Sequence, residues 1–205
     1  MLNIIIVLVA GYLLGSIATG VVLSETFAHA DVRTMGSGNA GTTNMLRVFG
    51  RSMALFTFLG DTIKGIIAVY IGKWLVGGEL GGILGTAGAV LGHYYPLYFG
   101  CRGGKGIATA FGSLLFIFPI HALIAFGVFL VLVAATKYVS LGSVCAALTL
   151  PALLFITHGS SNLPVCLIAA AIGISIVLRH HKNISRLINH TENKLDLNKL
   201  LKKKS

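Results

Sequence analysis

Residues 1–24, MLNIIIVLVAGYLLGSIATGVVLS, carry no charged side chain and are mostly apolar. A run of about 20 apolar residues is long enough to cross the hydrocarbon core of a bilayer as a helix. A cleaved signal peptide would begin with basic residues before a shorter apolar stretch, but the first lysine or arginine here is Arg33. The stretch therefore predicts a retained first transmembrane helix.

Six more apolar runs follow, and the composition is that of a membrane protein. Only 11% of the 205 residues are charged, against about 25% in soluble domains. The seven runs are Leu2–Leu23, Ser52–Val76, Leu80–Phe99, Gly106–Phe118, His121–Thr136, Leu141–Thr157 and Leu163–Leu178. We expect an all-α, polytopic integral membrane protein with about seven transmembrane helices, several of them short. It should form one domain over residues 1–205, with a flexible basic tail from about residue 193.

The basic residues predict the orientation in the membrane. If the C-terminus is cytoplasmic, 14 of the 16 lysines and arginines lie in the connections 25–51, 100–105 and 137–140 or in the tail from Arg179. Lysine and arginine collect in cytoplasmic loops, so we expect the N-terminus outside and the C-terminus inside. This depends on Pro119 separating two helices, since one span over 106–136 would reverse the sidedness of everything before it. The same rule explains the net charge of +10 without nucleic acid as a partner.

Three stretches between the apolar runs hold nearly all of the polar chemistry, and the first is GSGNAGTTNMLR at 36–47. It contains three glycines, four amide or hydroxyl residues and an arginine: Gly36, Gly38 and Gly41; Ser37, Asn39, Thr43 and Asn44; and Arg47. Glycines permit positive φ and close approach of a ligand, and successive amides in such a loop form an anion-binding concavity. Arginine adds a forked cation that suits phosphate. The stretch predicts a phosphate-binding loop rather than a flexible turn.

The second stretch, GHYYPLYFGCRGGKGIAT at 92–109, repeats this chemistry. Gly103, Gly104, Lys105 and Gly106 put a lysine among glycines at the start of a helix, whose free N–H groups favour an anion. A nucleotide-binding P-loop requires G-x-x-x-x-G-K-[ST]. Phe99 stands where its first glycine belongs, and Gly106 where its Ser or Thr belongs, so ATP or GTP binding is excluded on this signal.

The third stretch, RHHKNISRLINHTE at 179–192, follows the last apolar run. His180 and Asn183 are three positions apart and should share one helix face. His180 and His181 point in different directions, and the chain has no chelating pattern such as H-E-x-x-H, so we expect no metal. We expect no cofactor either, and none of the cysteines forms a C-x-x-C pair: Cys101, Cys145 and Cys166.

Asp61 and Lys64 interrupt the second apolar run on one helical face. A charge inside the membrane is costly and usually faces a partner or a cavity. Two interpretations stay open here. The two residues form a structural ion pair, or Lys64 lies at the edge of an anion site.

Together these stretches resemble one family, the membrane-embedded bacterial acyl-phosphate:glycerol-3-phosphate acyltransferases called PlsY. The first stretch fits the family pattern G-S-G-N-x-G-x-T-N-x-x-R at every position. The second fits G-H-x-x-P, which contains His93, and G-G-K-G-x-A-T from Gly103. D-x-x-K-G matches at Asp61, and R-H-x-x-N-I-x-R-L matches from Arg179. The resemblance extends over almost the entire chain.

The departures from the family pattern are few. Tyr98 and Cys101 stand where phenylalanine-like aromatic residues are usual, and His190 stands where glycine precedes Thr191 and Glu192. We therefore expect Glu192 to have a structural role.

The resemblance implies that sn-glycerol 3-phosphate attacks a long-chain acyl phosphate at the bilayer surface. The products would be lysophosphatidic acid and inorganic phosphate, the first acylation step of phospholipid synthesis, in the bacterial cytoplasmic (inner) membrane. We expect Arg47, Lys105 and the glycine amides to bind phosphate and to offset charge in the tetrahedral intermediate. Ser37 would donate a hydrogen bond, with a covalent acyl-serine as the alternative.

The resemblance also implies roles for the third stretch. His180 and Asn183 would position glycerol 3-phosphate, and either His180 or the leaving phosphate would take the proton. We count Ser37, His180 and Asn183 as catalytic. The expected substrate-binding set is Gly36, Gly38, Asn39, Thr43, Asn44, Arg47, Lys64, Gly103, Gly104, Lys105 and Gly106. The expected structural or unassigned set is His93, Asp61, Arg179 and Glu192. A monomer could suffice, although the sequence does not predict the oligomeric state.

Three other functions compete with this one. One is an acyltransferase that uses acyl-CoA. The soluble-type glycerol-phosphate acyltransferases carry a histidine five positions before an aspartate, and no histidine here has that spacing, which argues against their chemistry and modestly against acyl-CoA as the donor. A transporter or channel for a phosphorylated solute would need polar residues through the membrane depth, where only Asp61 and Lys64 intrude noticeably. A structural subunit could bind acidic lipid heads, which would also explain the basic tail at Lys199, Lys202, Lys203 and Lys204.

Overall fold

The structure, a computed structural model, describes residues 1–159 and 161–195. These residues form ten α-helices joined by turns and loops, which confirms the predicted all-α class. The helices are α1 Leu2–Gly15, α2 Thr19–Ala28, α3 Thr42–Phe49, α4 Arg51–Leu75, α5 Gly78–Tyr94, α6 Ile107–Ile117, α7 Pro119–Thr136, α8 Val139–His158, α9 Leu163–Arg179 and α10 His181–Ile188. Single 3₁₀ turns lie at Val32–Thr34 and Leu97–Phe99.

Four segments are long and apolar enough to cross a membrane, which agrees with a polytopic membrane protein. They are Leu2–Ala28, α4, α7 and α8, and a fifth is obtained if α9 and α10, which meet at a bend of 57°, count as one span. The helix α6 is apolar but has only 11 residues. The predicted count of seven transmembrane helices is therefore not confirmed.

The first span is broken, where the sequence predicted one helix over Leu2–Leu23. The chain leaves the helix at Ser16 and resumes it at Thr19, and such a break frees carbonyl groups that need partners. The Nζ of Lys64 donates to the carbonyl of Ile17 at 2.8 Å. A charged side chain from α4 thus satisfies a carbonyl exposed by the break.

The helix α5 packs in backbone contact with α1 and α4. A Cβ on Gly72 would overlap the carbonyl oxygen of Gly81, and a Cβ on Gly15 would overlap that of Ala89. Small residues at a crossing allow helix backbones to approach closely, and this is a common way for membrane helices to associate. The glycines of α5 therefore fix the centre of the bundle.

The break predicted at Pro119 is confirmed. The helix α6 ends at Ile117 and α7 begins with Pro119 as its first residue, a position where the missing N–H of proline is not needed. The next crossover is equally short, since only Lys137 and Tyr138 separate α7 from α8. The helices α6, α7, α8 and α9 share one buried apolar cluster with α5.

All three polar stretches lie at one end of the bundle. The starts of α4, α6 and α8 and the helix α10 contribute residues to a single cavity there. A smaller apolar cluster that includes Val21, Val32 and Met45 holds the first stretch against α2 and α4.

Of the predicted basic tail, residues 193–195 are described. The N–H of Leu195 donates to the carbonyl of Lys137 at 2.7 Å, and the ammonium of Lys194 lies over the ring of Tyr138. The remainder of the tail, residues 196–205 with its four lysines, lies outside the described residues.

Candidate active site

A cavity of about 520 Å³ opens at the polar end of the bundle. Its walls come from all three polar stretches and from the helices that follow them. The lining residues are Ser37, Asn39, Gly41, Thr42, Thr43, Asn44, Leu46, Arg47, Gly50, Arg51, Phe58, Asp61, His93, Lys105, Gly106, Ile107, Ala108, Phe129, Val139, Ser140, Ser143, His180, Asn183, Arg186, Glu192, Asn193, Lys194 and Leu195. Five lysine or arginine side chains against two carboxylates make this cavity suitable for an anion.

Asn44 lines the cavity, but its side chain is used by the backbone of the first polar stretch. Its buried amide donates to the carbonyls of Val32, Met35 and Asn39 at 2.9–3.2 Å, and its Oδ1 accepts from the N–H of Ser37 at 2.8 Å. The amide nitrogen is thus fully used by the loop backbone. The structure therefore favours a scaffolding role for Asn44 over the expected substrate contact.

The glycines of this loop have different conformations. Gly36 and Gly38 adopt positive φ, 59° and 71°, as expected, but neither lines the cavity. Gly41 has φ −87°, which any residue can adopt, so the expected need for positive φ does not hold there. A Cβ on Gly36 would overlap Oδ1 of Asn44, so this glycine makes room for the asparagine.

Five predicted residues of the first stretch and its helix do line the cavity: Ser37, Asn39, Thr43, Asn44 and Arg47. Thr42 lies beside them and was missed by sequence reasoning. Its hydroxyl is buried and has no hydrogen-bond partner among the described residues. The hydroxyl at the first position of α3 is thus available to a ligand.

In the second loop, only half of the predicted residues reach the cavity. The N–H groups of Gly103 and Gly104 donate to the carbonyls of Tyr94 and His93, and a Cβ on either glycine would overlap His93. These two glycines therefore seat the loop against α5, so the structure does not support their expected substrate contact. Lys105 and Gly106 line the cavity, and Gly106 caps α6 with φ 77°.

Lys105, Asn183 and Glu192 form a continuous hydrogen-bonded network. The Nζ of Lys105 donates to Oδ1 of Asn183, and the Asn183 amide donates to Oε1 of Glu192 at 2.7 Å. Glu192 also accepts from Ser140 at 3.0 Å and from Arg186 at 2.7 Å. The network ties the lysine of the second stretch to the third stretch.

Burial changes the proton affinities in this network. It lowers the pKa of Lys105 to about 8, against the opposing attraction of Glu192. Burial raises the pKa of Glu192, but hydrogen bonds from Arg186, Asn183 and Ser140 outweigh it and hold that pKa below its usual range. Glu192 is thus a carboxylate held in place by three side-chain donors, and the structural role expected for it stays a prediction. His190 takes the positive φ of 56° that a glycine would adopt more readily.

His180 lies at the bend between α9 and α10, 3% exposed. Its Nδ1 is 2.8 Å from the carbonyl oxygen of Ile176. Because a carbonyl only accepts, Nδ1 carries the proton, and Nε2 of the neutral ring is an acceptor. His180 and Asn183 both line the cavity, and the geometry gives the histidine a basic nitrogen.

Asp61, Lys64 and His93 form a buried charged cluster below the cavity. The Nζ of Lys64 lies 2.8 Å from Oδ1 of Asp61 and 3.0 Å from Nδ1 of His93. Asp61 and His93 reach the cavity wall, whereas Lys64 is not among the lining residues. The geometry favours the structural ion pair over Lys64 as an anion ligand.

Arg179 also lies outside the cavity lining. Its guanidinium stacks over Tyr94 and Tyr95, 5.3 and 5.2 Å from the ring centroids. It donates to the carbonyl of Gly104 at 3.3 Å. Arg179 therefore holds the second polar stretch against Tyr94 and Tyr95.

Several cavity residues were not singled out from the sequence. Ser140 and Ser143 stand three positions apart at the start of an apolar helix, a spacing that could have indicated one polar face. Arg51 and Arg186 were counted only as cytoplasmic charges. Within residues 1–159 and 161–195, no three His, Cys, Asp or Glu side chains are grouped closely enough to hold a metal ion.

Comparisons with known proteins show the family to which this chain belongs. A family model described as glycerol-3-phosphate acyltransferase matches residues 5–190. The glycerol-3-phosphate acyltransferase of Syntrophotalea carbinolica is 43% identical over 194 residues, which is 92% of this chain and 96% of that protein. That of Clostridioides difficile is 43% identical over 196 residues, 93% of this chain and 95% of that protein.

Solved structures give the same result. A crystal structure of PlsY, an integral membrane glycerol 3-phosphate acyltransferase, in its glycerol 3-phosphate form has a TM-score of 0.87 and 36% identity, covering 97% of this chain and 99% of that chain. The lysophosphatidic acid form of PlsY has a TM-score of 0.84 and 34% identity, covering 97% of this chain and 98% of that chain. Because the family model and these relatives span nearly all of the sequence, the chain belongs to the glycerol-3-phosphate acyltransferase family.

Proposed function

We propose that this protein transfers a long-chain acyl group from acyl phosphate to sn-glycerol 3-phosphate, giving lysophosphatidic acid and inorganic phosphate. The observation that carries the proposal is the direct connection between the cationic cavity and an apolar groove. Phe58, Ile107, Phe129 and Ser143 line both spaces. Two anionic head groups can meet in the first space while one hydrocarbon chain enters the second.

The cations of the cavity suit the two phosphates. Arg47 on α3, Arg51 at the start of α4, Lys105 before α6 and Arg186 on α10 all line the cavity. A guanidinium binds phosphate as a fork, whereas an ammonium acts as a point charge. We assign Arg47 and Lys105, with the hydroxyls of Thr42 and Thr43, to phosphate binding.

The apolar groove supplies the affinity for the donor. Burial of a methylene is worth about 0.8 kcal/mol, so a chain of many carbons needs few polar contacts for binding. The polar residues can then serve orientation and charge stabilisation. This division of roles fits the lipid product named for the PlsY structure.

The reaction forms one bond and breaks one. A glycerol hydroxyl oxygen attacks the acyl carbonyl carbon, the resulting oxyanion collapses, and the bond from that carbon to the phosphate oxygen breaks. Lys105 and Ser37 donate to the oxyanion, and Asn183 orients the acceptor. The hydroxyl proton passes to Nε2 of His180 or to the leaving phosphate, and both acceptors are retained in the proposal.

One variant and one quench experiment separate these roles. If His180→Ala keeps near-full turnover at saturating substrate, the leaving phosphate is the proton acceptor. A fall in kcat of about 10²-fold or more would support His180 as the base. For Ser37, an acylated peptide recovered after quenching would favour a covalent acyl-serine over the direct transfer proposed here.

We also propose a location and an orientation. Fourteen of the 16 lysines and arginines belong to the sequence stretches 25–51, 100–105, 137–140 and 179–205, and such residues concentrate on the cytoplasmic side. The enzyme would then span the bacterial inner membrane with its N-terminus outside. Glycerol 3-phosphate would reach the cavity from the cytoplasm, and the whole chain would act as one domain.

Turnover of the purified protein in detergent tests the proposal. Glycerol 3-phosphate is supplied with palmitoyl phosphate or with palmitoyl-CoA, and lysophosphatidic acid is measured. Product from palmitoyl phosphate alone is expected. Product from palmitoyl-CoA alone would support glycerol 3-phosphate as the acceptor and contradict acyl phosphate as the donor. If neither donor gives product, uptake of labelled glycerol 3-phosphate into sealed vesicles would favour the transporter.

A further inference from the structure

A groove on the outside of the bundle lies where α9 and α10 meet at a bend of 57°. Its volume is about 350 Å³, within the range of about 300–1,000 Å³ that small-molecule sites occupy. Leu178, Ile184 and Ile188 give it apolar walls, and Ser185 and Asn189 give it polar groups. We call it the elbow groove, and its mixed walls suit an amphipathic molecule.

The helix α10 separates the elbow groove from the cavity. Asn183 and Arg186 line the cavity, whereas Ile184, Ser185 and Ile188 line the elbow groove. Positions three and four apart share one face of a helix, so α10 presents one face to each space. A molecule in the elbow groove therefore contacts the helix that carries Asn183 without entering the cavity.

The outer face of α9 continues the elbow groove along the apolar part of the chain. Leu167, Ile174 and Leu178 are each more than half exposed, and Ala171 is exposed between them. Because these positions are three or four residues apart, they form one apolar stripe. The stripe is about 16 Å long at a rise of about 1.5 Å per residue, and one leaflet of the hydrocarbon core is about 15 Å thick. One acyl chain of a membrane lipid fits along the stripe while its head group lies in the elbow groove.

The charges around the elbow groove favour an acidic head group. Lys182 is exposed on α10, three positions before Ser185 and therefore at the rim of the elbow groove. Among the described residues, no acidic side chain lines the elbow groove. The carboxylate nearest along the chain, Glu192, lines the cavity instead, where it accepts from three side-chain donors. A lysine beside a membrane surface attracts anionic lipids.

We propose that the elbow groove binds an acidic phospholipid of the surrounding bilayer. The lipid phosphate accepts hydrogen bonds from the hydroxyl of Ser185 and the amide of Asn189, beside the ammonium of Lys182. One acyl chain lies along the stripe from Leu178 to Leu167. The site is separate from the cavity, so the inference does not depend on the proposed acyl transfer.

The test is native mass spectrometry of the purified full-length protein, titrated in detergent with two phospholipids. Phosphatidylglycerol and phosphatidylcholine with the same acyl chains are compared by their Kd values. We expect the wild type to prefer phosphatidylglycerol by about fivefold or more and Lys182→Gln to lose most of this preference, because one lysine near a membrane surface contributes about 1 kcal/mol. Ser185→Leu fills the elbow groove with no change in charge, and we expect it to weaken the binding of phosphatidylglycerol.

Lys137→Gln is the matched control. It removes one exposed positive charge from the turn between α7 and α8, at the same end of the bundle but outside the elbow groove, and we expect the wild-type preference there. All three substituted side chains are exposed, so these changes leave the packed core intact. A wild type with no preference, an equal loss in Lys182→Gln and Lys137→Gln, or unchanged binding in Ser185→Leu would each overturn the inference.

Discussion

Lys105 is the cavity cation whose protonation responds to pH near neutrality. Burial lowers the pKa of Lys105 to about 8, so its protonated fraction falls as the pH rises through that value. A phosphate dianion binds the protonated amine, and we therefore expect kcat/KM for glycerol 3-phosphate to fall between pH 7 and pH 9. In Lys105→Arg the side chain stays charged over this range, so the decrease should be absent. The same decrease in Lys105→Arg would assign it to another group.

Substitutions at Asp61 and Lys64 test whether the buried ion pair below the cavity stabilises the protein. Their side chains are 2% and 5% exposed and 2.8 Å apart. Removing one partner leaves an uncompensated charge, which costs about 3–5 kcal/mol. We expect Asp61→Asn to lower thermal stability in detergent strongly, and Asp61→Asn combined with Lys64→Met to lose less than the sum of the single changes. Additive losses would show that the two charges are not coupled.

Single residues also show which roles a sequence can predict. Lys105, His180 and Asn183 are polar residues in a mostly apolar chain, and their residue types alone indicate an anion site. The role of Asn44 could not be predicted, because its hydrogen-bond partners are backbone groups up to 12 positions away. The sequence around Gly103 and Gly104 looks the same whether these glycines pack against a helix or bind a ligand. Only their contact with His93 shows that they pack.

At the scale of helices, the crossing of α4 and α5 depends on the absence of side chains. A Cβ on Gly72 would overlap the backbone of Gly81, and overpacking of this kind typically costs 1–3 kcal/mol or more. We expect Gly72→Ala to lower the melting temperature in detergent. Gly127→Ala is the control, because no atom lies within 4 Å of a Cβ at Gly127 in α7, and it should be neutral or slightly stabilising. Equal effects of the two changes would contradict this packing.

The sequence predicted the helix boundary that a proline marks, but it did not predict the break in the first apolar run. Pro119 separated α6 from α7 as expected, because proline favours the first turn of a helix. The break at Ser16 to Ala18 has no such marker. A carbonyl exposed by the break accepts a hydrogen bond from Lys64 in another helix. The hydrophobic pattern of the first run gives no information about this tertiary contact.

For the whole molecule, the proposed orientation can be measured by labelling cysteines. Cys101 is exposed at the cavity end, and Ser161 is exposed at the opposite end of the bundle. With Cys145 and Cys166 replaced by alanine, we expect a membrane-impermeant maleimide to label Cys101 only after cells are permeabilised. Ser161→Cys in a background that also lacks Cys101 should be labelled in intact cells. The reverse pattern would place the cavity outside the cytoplasm.

The meeting of the three polar stretches could be predicted from the alternation of apolar runs and basic loops. The apolar groove could not, because it is built from alanines and other apolar residues of four helices that look like ordinary membrane-facing sequence. Its connection to the cavity through Phe58 and Phe129 depends on how those helices pack. Packing across helices is the part of the site that one sequence leaves undetermined.

The central claim is acyl transfer from phosphate to glycerol 3-phosphate by attack at the acyl carbon within one cavity. Its most direct test is mass spectrometry of the products formed by the purified enzyme from palmitoyl phosphate labelled with ¹⁸O in the oxygen that bridges carbon and phosphorus. Attack at the acyl carbon predicts unlabelled lysophosphatidic acid and an equal amount of ¹⁸O-labelled inorganic phosphate. Label retained in the lipid, or phosphate release without lysophosphatidic acid, would contradict the claim.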